Sequence, residues 1–354
     1  MRIDTLYVTQ FRHLKSQKIS FNTGINGIIG HNAAGKTAVL EAINLLILGS
    51  SFRTHQLRDM IQHGQTEWLI EGEMTSGGVH KSLSLRYDMK RRYVTIDGQL
   101  QESTSPLLGN LLGVTATLED QELVFGPPSI RRQFLDEQIA QIDPYFVQML
   151  SRYTKALTYR NHLLRQNSFR TIAAWEEQLA MAGAYIVTQR RRTVDQLAPR
   201  VVSHFNHLFD DGVPFTMSYT SSAPLETDLS TWYQQEYAKR RLQEARAAST
   251  LLGPHRDDLT WTLADKPVRS VASLGQARAV ALALRWSEWE WLADRSSEKP
   301  LFLVDDAEST LDSLRKERLF DLCKQPEQVF FTSHEPHSSL HSTITLSNGT
   351  VLNC

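Results

Sequence analysis

The stretch Gly30-His31-Asn32-Ala33-Ala34-Gly35-Lys36-Thr37 decides the fold, because it matches the phosphate-binding pattern of a glycine, four residues and then Gly-Lys-Thr. A short apolar run over residues 25–29 precedes it, and apolar residues at helical spacing follow over residues 38–48. A glycine-rich turn between a strand and a helix directs backbone N–H groups and the positive end of the helix dipole at one anion. The stretch therefore predicts a phosphate-binding loop within an α/β domain.

Two side chains of this loop are expected to contact a bound ATP and its Mg²⁺. Lys36 would place its charge beside the β- and γ-phosphates, and the Thr37 hydroxyl would hold Mg²⁺. The remaining loop residues expected at the nucleotide are Gly30, His31, Asn32, Ala33, Ala34, Gly35 and Ala38. Arg12 follows a predicted strand, so it is either a contact near the nucleotide base or an exposed arginine.

A second cluster of functional residues lies near the C-terminus. The run Leu301-Phe302-Leu303-Val304-Asp305-Asp306 predicts a buried strand that ends in two carboxylates. Ligands bind at the carboxyl ends of parallel strands, and two acids there need a compensating cation. Asp305 is therefore expected to serve Mg²⁺, and Asp306 to position or activate water. His334 lies just past another predicted strand at 328–332 and could donate a hydrogen bond to the γ-phosphate. The candidate catalytic residues are therefore Lys36, Asp305, Asp306 and His334.

The composition excludes some classes of protein but does not identify one. The chain has 354 residues, enough for one large domain or two, and a formal net charge of −1, so nucleic-acid binding would depend on local patches. Cys323 and Cys354 form no disulfide framework or zinc pattern, which favours a reducing compartment. No apolar run is long enough to span a bilayer. These features predict a soluble cytoplasmic protein without a membrane partner.

The pattern of predicted elements divides the chain into two parts. Alternating residues predict antiparallel strands over 66–73, 81–87 and 92–96, and Asp97-Gly98 is a hairpin signal. Helical spacing dominates between Gly126-Pro127-Pro128 and about residue 248. We therefore expect an α/β domain from residues 1–125 and 249–354, with a mostly helical subdomain inserted at 126–248.

Motifs along nearly the whole chain resemble the ABC-type ATPase heads of the SMC and Rad50 family, and most closely the RecF family of DNA replication and repair proteins. The motifs are Phe11-Arg12, the loop from Gly30 to Ala42, Leu123-Val124 with Gly126-Pro127, Arg131-Arg132-Gln133-Phe134-Leu135-Asp136, Tyr153 with Lys155-Ala156-Leu157 and Arg160-Asn161, Gly253-Pro254-His255-Arg256-Asp257-Asp258, the signature residues Ser273, Gly275, Gln276 and Arg278, and Asp305-Asp306 with Ser309 and Leu311-Asp312. The motif at 253–258 is close to diagnostic.

The sequence departs from the family pattern at several positions. Thr310 stands where a glutamate is usual and Glu308 where an apolar or small residue is usual, which puts contacts of this loop across a dimer in doubt. His334 stands where threonine is expected. The family's water-sensing glutamine maps to about Glu119-Asp120 with Gln121 nearby, and the choice among the three stays open.

The resemblance implies an ABC-type P-loop ATPase head, with a mixed sheet and an antiparallel β-subdomain, plus a helical arm. ATP bound at Lys36 of one subunit would be closed over by Ser273, Gly275 and Gln276 of a second subunit, so that dimerisation depends on ATP. Hydrolysis is expected to be slow, because Asp306 is one methylene shorter than the usual glutamate, and it would release the DNA. The resemblance further implies recombinational repair and the SOS response at junctions of single- and double-stranded DNA in gaps, with RecR and RecO helping to load RecA at the nucleoid.

Contacts with DNA are the least defined part of this interpretation. The candidates for phosphate contact are Arg53, Arg58, Arg131, Arg132, Lys155 and Arg160. Taken singly, each is more typical of a solvated helix face. No base-reading motif is present, so binding to DNA structure rather than to a base sequence is expected.

Two other protein classes use similar motifs. The ATPase subunit of a membrane transporter has the signature closer to the phosphate-binding loop, whereas here a helical region separates Gly30 from Ser273. A structural SMC-like or Rad50-like protein would need long heptad arms, and Rad50 a Cys-x-x-Cys zinc hook. Neither feature is found in the sequence.

Overall fold

The computed structural model describes residues 1–208, 212–225, 228–306 and 313–353, and these form two units. The first unit comprises Met1–Asp120 and Arg278–Cys354, and the second comprises Gln121–Ala277. The predicted loop residues Glu308, Ser309, Thr310, Leu311 and Asp312 lie outside the described residues.

A six-stranded mixed sheet is the centre of the first unit. Its strands, in spatial order, are β15 (Thr350–Asn353), β14 (Ser342–Ser347), β3 (Gly24–Ile29), β13 (Gln328–Ser333), β12 (Leu301–Asp305) and β8 (Gly113–Thr117). The strands from β14 to β8 run parallel, and β15 is antiparallel to β14. Parallel strands are covered on both faces, which explains why β3, β12 and β13 are buried along almost their whole length.

An antiparallel sheet completes the first unit, as the alternating pattern predicts. Its strands, in spatial order, are β2 (Gln17–Ser20), β1 (Arg2–Thr9), β4 (Trp68–Ser76), β5 (Val79–Tyr87), β6 (Arg92–Ile96) and β7 (Gln99–Gln101). Asp97 and Gly98 both have positive φ in the β6–β7 turn, which suits a tight hairpin. Helix α1 (Lys36–Leu48) contacts both sheets and is therefore buried almost all round.

The second unit is mostly helical. Its helices are α2 (Glu122–Phe125), α3 (Pro128–Ala140), α4 (Pro144–Arg165), α5 (Ile172–Leu208), α6 (Leu229–Arg246) and α7 (Val268–Val271). The Asp143 carboxylate accepts a hydrogen bond from the Phe146 backbone N–H at 3.0 Å and caps α4, and Pro144 occupies the first turn of the helix. None of the helices that the structure describes is long and apolar enough to cross a membrane.

The two units do not follow the predicted limits of 1–125 with 249–354 and of 126–248. Strand β10 (Asp258–Leu263) pairs with β9 (Phe215–Thr220) along its whole length and with β11 (Lys266–Pro267). Residues up to Ala277 therefore pack with the helices. Helix α8 (Leu274–Ala293) begins in the second unit and continues in the first, which also contains α9 (Ser313–Leu322).

Candidate nucleotide-binding site

Parallel pairing brings the ends of three strands to one edge of the mixed sheet. Ser333 of β13 pairs with Ile29 of β3, and Phe331 pairs with Val304 of β12. The loop after β3, the end of β12 and Thr332 consequently line one cleft of about 490 Å³. Of the predicted nucleotide contacts, residues 31–38 and Arg12 line this cleft.

Two glycines give the loop its shape. Gly35 has a φ of 115°, and a Cβ there would lie 2.7 Å from the Leu14 Cδ2 atom. A Cβ on Gly30 would lie 2.4 Å from the Leu346 carbonyl oxygen. Neither position accepts a side chain without movement of its neighbours. The loop therefore has the close backbone turn at the start of α1 that a phosphate group requires.

Lys36 is held inside this loop. Its Nζ donates to the Gly30 carbonyl at 2.6 Å and lies 3.4 Å from the His31 carbonyl. Burial lowers the pKa of Lys36 from its usual value, while the charges of Asp306 and Asp305 act in the opposite direction. The ammonium group is thus placed among backbone dipoles at the position where a phosphate would bind.

Asp305 has the surroundings of a cation ligand. Its Oδ1 accepts hydrogen bonds from the Thr37 hydroxyl at 3.1 Å and from the Thr332 hydroxyl at 3.0 Å. Burial raises the pKa of Asp305, and the two hydroxyls lower it. A hydroxyl and a carboxylate are hard oxygen donors, and a buried carboxylate gains from a cation, so Thr37 and Asp305 fit Mg²⁺.

Asp306 and His334 come together at the same edge. The Asp306 backbone N–H donates to the Thr332 hydroxyl at 2.8 Å, and its Oδ1 lies 4.0 Å from His334 Nε2. His334 is 47% exposed. Asp306 has a φ of 53°, and Arg12 and Ala33 in the same cleft also have positive φ, at 56° and 62°. Backbone strain of this kind is concentrated at functional sites.

The three candidates for the water-sensing residue, Glu119, Asp120 and Gln121, have different surroundings. The Asp120 carboxylate is buried and accepts hydrogen bonds from the Arg285 guanidinium at 2.7 Å and from the Thr117 backbone N–H at 2.8 Å. Glu119 is exposed, and its charge contributes to the raised pKa of Asp305. Gln121 belongs to the second unit. The Asp120 carboxylate is therefore engaged in structural hydrogen bonds. Glu119, whose charge acts on Asp305, is the candidate for the water-sensing role.

Two further residues of the site had no role predicted from the sequence. Glu41 is fully buried in α1, and its carboxylate pairs with Arg12. Thr332 joins Asp305 to the Asp306 backbone. Both are polar residues inside otherwise apolar elements, and that signal could have indicated them. Arg53, a predicted DNA contact, lines the nucleotide cleft and lies 3.7 Å from Glu41.

The signature residues form an exposed helix start. The Ser273 hydroxyl accepts a hydrogen bond from the Gln276 backbone N–H at 3.1 Å, and the Gln276 side chain accepts from the Ser273 N–H at 2.9 Å. This reciprocal pair of hydrogen bonds is a capping box, with Ser273 as the N-cap of α8. Ser273 and Gly275 are exposed, so further N–H groups of this helix start can face an anion from outside.

Burial separates the candidate DNA contacts into two groups. Arg53, Arg58 and Lys155 are exposed, and Arg132 is half-buried with its guanidinium on the Asp257 carbonyl. Arg131 is buried and holds both Asp258 carboxylate oxygens, at 2.7 and 2.9 Å. Arg160 is fully buried between Glu176 and Glu244. The assignment of Arg131 and Arg160 to DNA is therefore corrected, since both guanidinium groups are engaged in the interior.

Comparison with known proteins gives consistent matches along the chain. The family described as RecF/RecN/SMC N-terminal domain matches residues 2–346. The DNA replication and repair protein RecF of Protochlamydia amoebophila is 35% identical over 340 residues, covering 95% of each chain. The protein of the same name from Deinococcus deserti is 34% identical, covering 95% of this chain and 91% of its own.

Solved structures agree with these sequence matches. The structure of the recombination mediator protein RecF-ATP in the RecFOR pathway matches with a TM-score of 0.92 and 28% identity, covering 99% of this chain and 96% of that one. An SMC head bound to the C-terminal winged-helix domain of ScpA matches with a TM-score of 0.59 at 15% identity, which is a likeness of fold. The predicted fold class, an ABC-type head with a mixed sheet and an antiparallel sheet, is confirmed.

Proposed function

The chain belongs to the RecF family within the RecF/RecN/SMC group, and on this basis we propose that it is an ATP-dependent DNA-binding clamp of recombinational repair. The observation that carries the proposal is the convergence of Lys36, Thr37 and Asp305 in one cleft at the edge of the parallel strands. Such a cleft combines a phosphate-binding loop with a carboxylate that can accept a cation.

Within the cleft, each residue has a distinct task. Lys36 and the loop N–H groups balance the charge of the β- and γ-phosphates. Thr37 and Asp305 would hold Mg²⁺, which supplies further positive charge to the phosphates when it is bound. Asp306 orients water and accepts its proton, and His334 donates a hydrogen bond toward the γ-phosphate. We assign the water-sensing role to Glu119.

Dimerisation is the proposed response to ATP. The exposed start of α8, with Ser273, Gly275 and Gln276, covers the phosphates bound in a second copy, and the Ser273 hydroxyl and the Gly275 N–H face the anion. Two copies then enclose two nucleotides. Asp306 has a shorter side chain than a catalytic glutamate, so hydrolysis is a slow, DNA-stimulated step that opens the clamp.

The proposed DNA substrate is the junction between double- and single-stranded DNA in a gap. Exposed cations such as Arg58 and Lys155 supply phosphate contacts. RecR and RecO are the proposed partners, and loading of RecA is the proposed outcome, in DNA repair, replication and the SOS response at the nucleoid in the cytoplasm. The RecFOR pathway named for the RecF-ATP structure supports this assignment.

The test measures nucleotide, DNA and oligomeric state together. Light scattering gives the mass with ATP, with ADP and with a non-hydrolysable analogue, and fluorescence anisotropy gives affinity for gapped, blunt and single-stranded DNA at a stated salt concentration. We expect dimers only with ATP or the analogue, and tightest binding to gapped DNA in that state. A protein that stays monomeric when saturated with the analogue would refute the clamp.

A further inference from the structure

Helix α4 has an unusual distribution of charge. Its 22 residues include no aspartate or glutamate, whereas Arg152, Lys155 and Arg165 are exposed on its surface. Within the described part of the chain, no carboxylate forms an ion pair with these three side chains. A carboxylate three or four residues from a cation on the same helix would pair with it and offset its charge. The exposed surface of α4 is therefore positively charged and available to a polyanion.

An aromatic pair joins this helix to α5, with its α4 member, Tyr159, exposed and its α5 member, Trp175, half-buried. The rings of Tyr159 of α4 and Trp175 of α5 stack in parallel, with centroids 4.4 Å apart and planes 9° apart. Tyr159 is 47% exposed. It follows Lys155 by four residues and Arg152 by seven, so the ring and the two cations share one face of α4.

Buried ion pairs hold the two helices together next to this aromatic pair. Arg160, next to Tyr159, is fully buried and pairs with Glu176, next to Trp175, at 3.1 Å. The Glu244 Oε2 atom forms an ion pair with the same guanidinium at 2.6 Å. Adjacent residues on each helix thus lock the two helices together below the aromatic pair. The rings are held in position before any ligand arrives, which lowers the entropic cost of binding.

We propose that Tyr159 and Trp175, with Arg152 and Lys155, form a stacking site for unpaired bases of single-stranded DNA. A base extends the existing stack on the exposed Tyr159 ring, while the two cations contact the adjoining phosphates. Aromatic rings flanked by cations bind single strands without sequence preference, because every base has a flat face. The inference rests on the proposed function, and it assigns the single-stranded side of the junction to the α4–α5 pair.

The experiment uses the full chain with ATP and two DNA probes, a blunt duplex and the same duplex with an oligo-dT overhang. We expect Tyr159→Ala to lose about tenfold in affinity for the overhang probe and nothing for the blunt duplex, and Tyr159→Phe to bind as the wild type does. The matched control is Tyr145→Ala, which removes a tyrosine of 48% exposure from the same helix and should leave both affinities unchanged. Quenching of tryptophan fluorescence by the overhang should be reduced in Trp175→Phe.

Several results would overturn the inference. One is equal overhang affinity in Tyr159→Ala and the wild type, which would favour a protein-docking surface and leave the clamp intact. Another is an equal loss for blunt and overhang probes, or a loss of the same size in Tyr145→Ala. A wild-type protein that binds neither probe with ATP contradicts both this inference and the proposed function.

Discussion

The Glu41 carboxylate, fully buried in α1, holds the guanidinium of Arg12 at the edge of the nucleotide cleft. Arg12 Nε donates to Glu41 Oε2 at 2.8 Å, and another Arg12 nitrogen donates to the Asp59 carbonyl at 2.7 Å. The Ser51 hydroxyl donates to the second Glu41 oxygen. The helix that begins with Lys36 therefore also fixes an arginine that lines the cleft.

We expect Glu41→Gln to lower the free energy of unfolding by on the order of 2 kcal/mol, because charge-assisted bonds to Arg12 and Ser51 are lost inside the protein. Urea unfolding monitored by tryptophan fluorescence measures the change. Glu73→Gln is the control, since the Glu73–Lys18 pair is exposed and should contribute less than about 1 kcal/mol. Equal effects of the two substitutions would contradict the role of burial. ATP affinity should also fall in Glu41→Gln alone.

Lys36→Met should abolish ATP binding and ATP-dependent dimerisation. The ammonium group lies against the Gly30 carbonyl inside the loop, and methionine keeps the chain length but removes the charge that faces the phosphates. Calorimetry measures nucleotide binding, and light scattering measures the dimer. Lys324→Met removes an exposed lysine that pairs with Asp321 and should change neither. Dimerisation of Lys36→Met with ATP to the wild-type level would count against the site.

Ser273→Arg should leave ATP binding intact and block dimerisation. Ser273 lies in the exposed start of α8, where a long cationic side chain would obstruct an approaching second copy. The control, Ser103→Arg, places the same side chain in an exposed loop of the first unit and should dimerise normally. If Ser273→Arg binds ATP and still dimerises, the helix start does not cover the nucleotide of a second copy.

Arg160→Met should destabilise the protein rather than weaken DNA binding selectively. The substitution leaves the buried carboxylates of Glu176 and Glu244 without this partner, and removing one member of a buried ionic group costs about 3–5 kcal/mol. Thermal unfolding measures the loss. Lys155→Gln is the contrast, because Lys155 is exposed. It should leave the unfolding midpoint unchanged and reduce the salt dependence of DNA binding by about one phosphate contact.

The difference between Asp305 and Arg160 shows what the sequence can predict. Asp305 ends an apolar strand, and the parallel arrangement of such strands places it beside the loop of Gly30 to Thr37 whatever the details of packing. Arg160 belongs to a helix whose buried face depends on partners distant in sequence, Glu176 and Glu244. Pattern alone cannot distinguish a solvated arginine from one enclosed by carboxylates.

Strand β8 and the residues at 249–277 illustrate a second limit of prediction from the sequence, which is the pairing of strands distant along the chain. The five residues of β8, Gly-Val-Thr-Ala-Thr, carry a weak apolar signal, and their place beside β12 is set by tertiary pairing. Strands β9 and β10 pair although helix α6 separates them in sequence, and no local pattern indicates this pairing. The boundary expected at residue 249 was therefore placed too early. The pairing of Glu41 with Arg12 was not predicted for a related reason, since an apolar stripe along a helix predicts burial but does not identify the partner of a buried carboxylate.

The half-buried His255 should make stability depend on pH. Its Nδ1 lies 2.6 Å from the Tyr153 hydroxyl and its Nε2 lies 3.1 Å from the Thr250 carbonyl, so Nε2 carries the proton and Nδ1 accepts from tyrosine. Burial lowers the pKa of His255 to about 4. Between that value and the ordinary histidine pKa of about 6.5, the unfolded chain binds a proton that the folded chain does not.

Stability should therefore be lost as the pH falls through this interval, by up to about 3 kcal/mol from this residue. Urea unfolding at several pH values between these limits measures the loss. In His255→Gln the amide can accept from Tyr153 and donate to Thr250 without titrating, so the decline should be smaller by that amount, while other histidines contribute equally to both proteins. Parallel pH profiles for the two proteins would show that His255 is not held neutral by its burial.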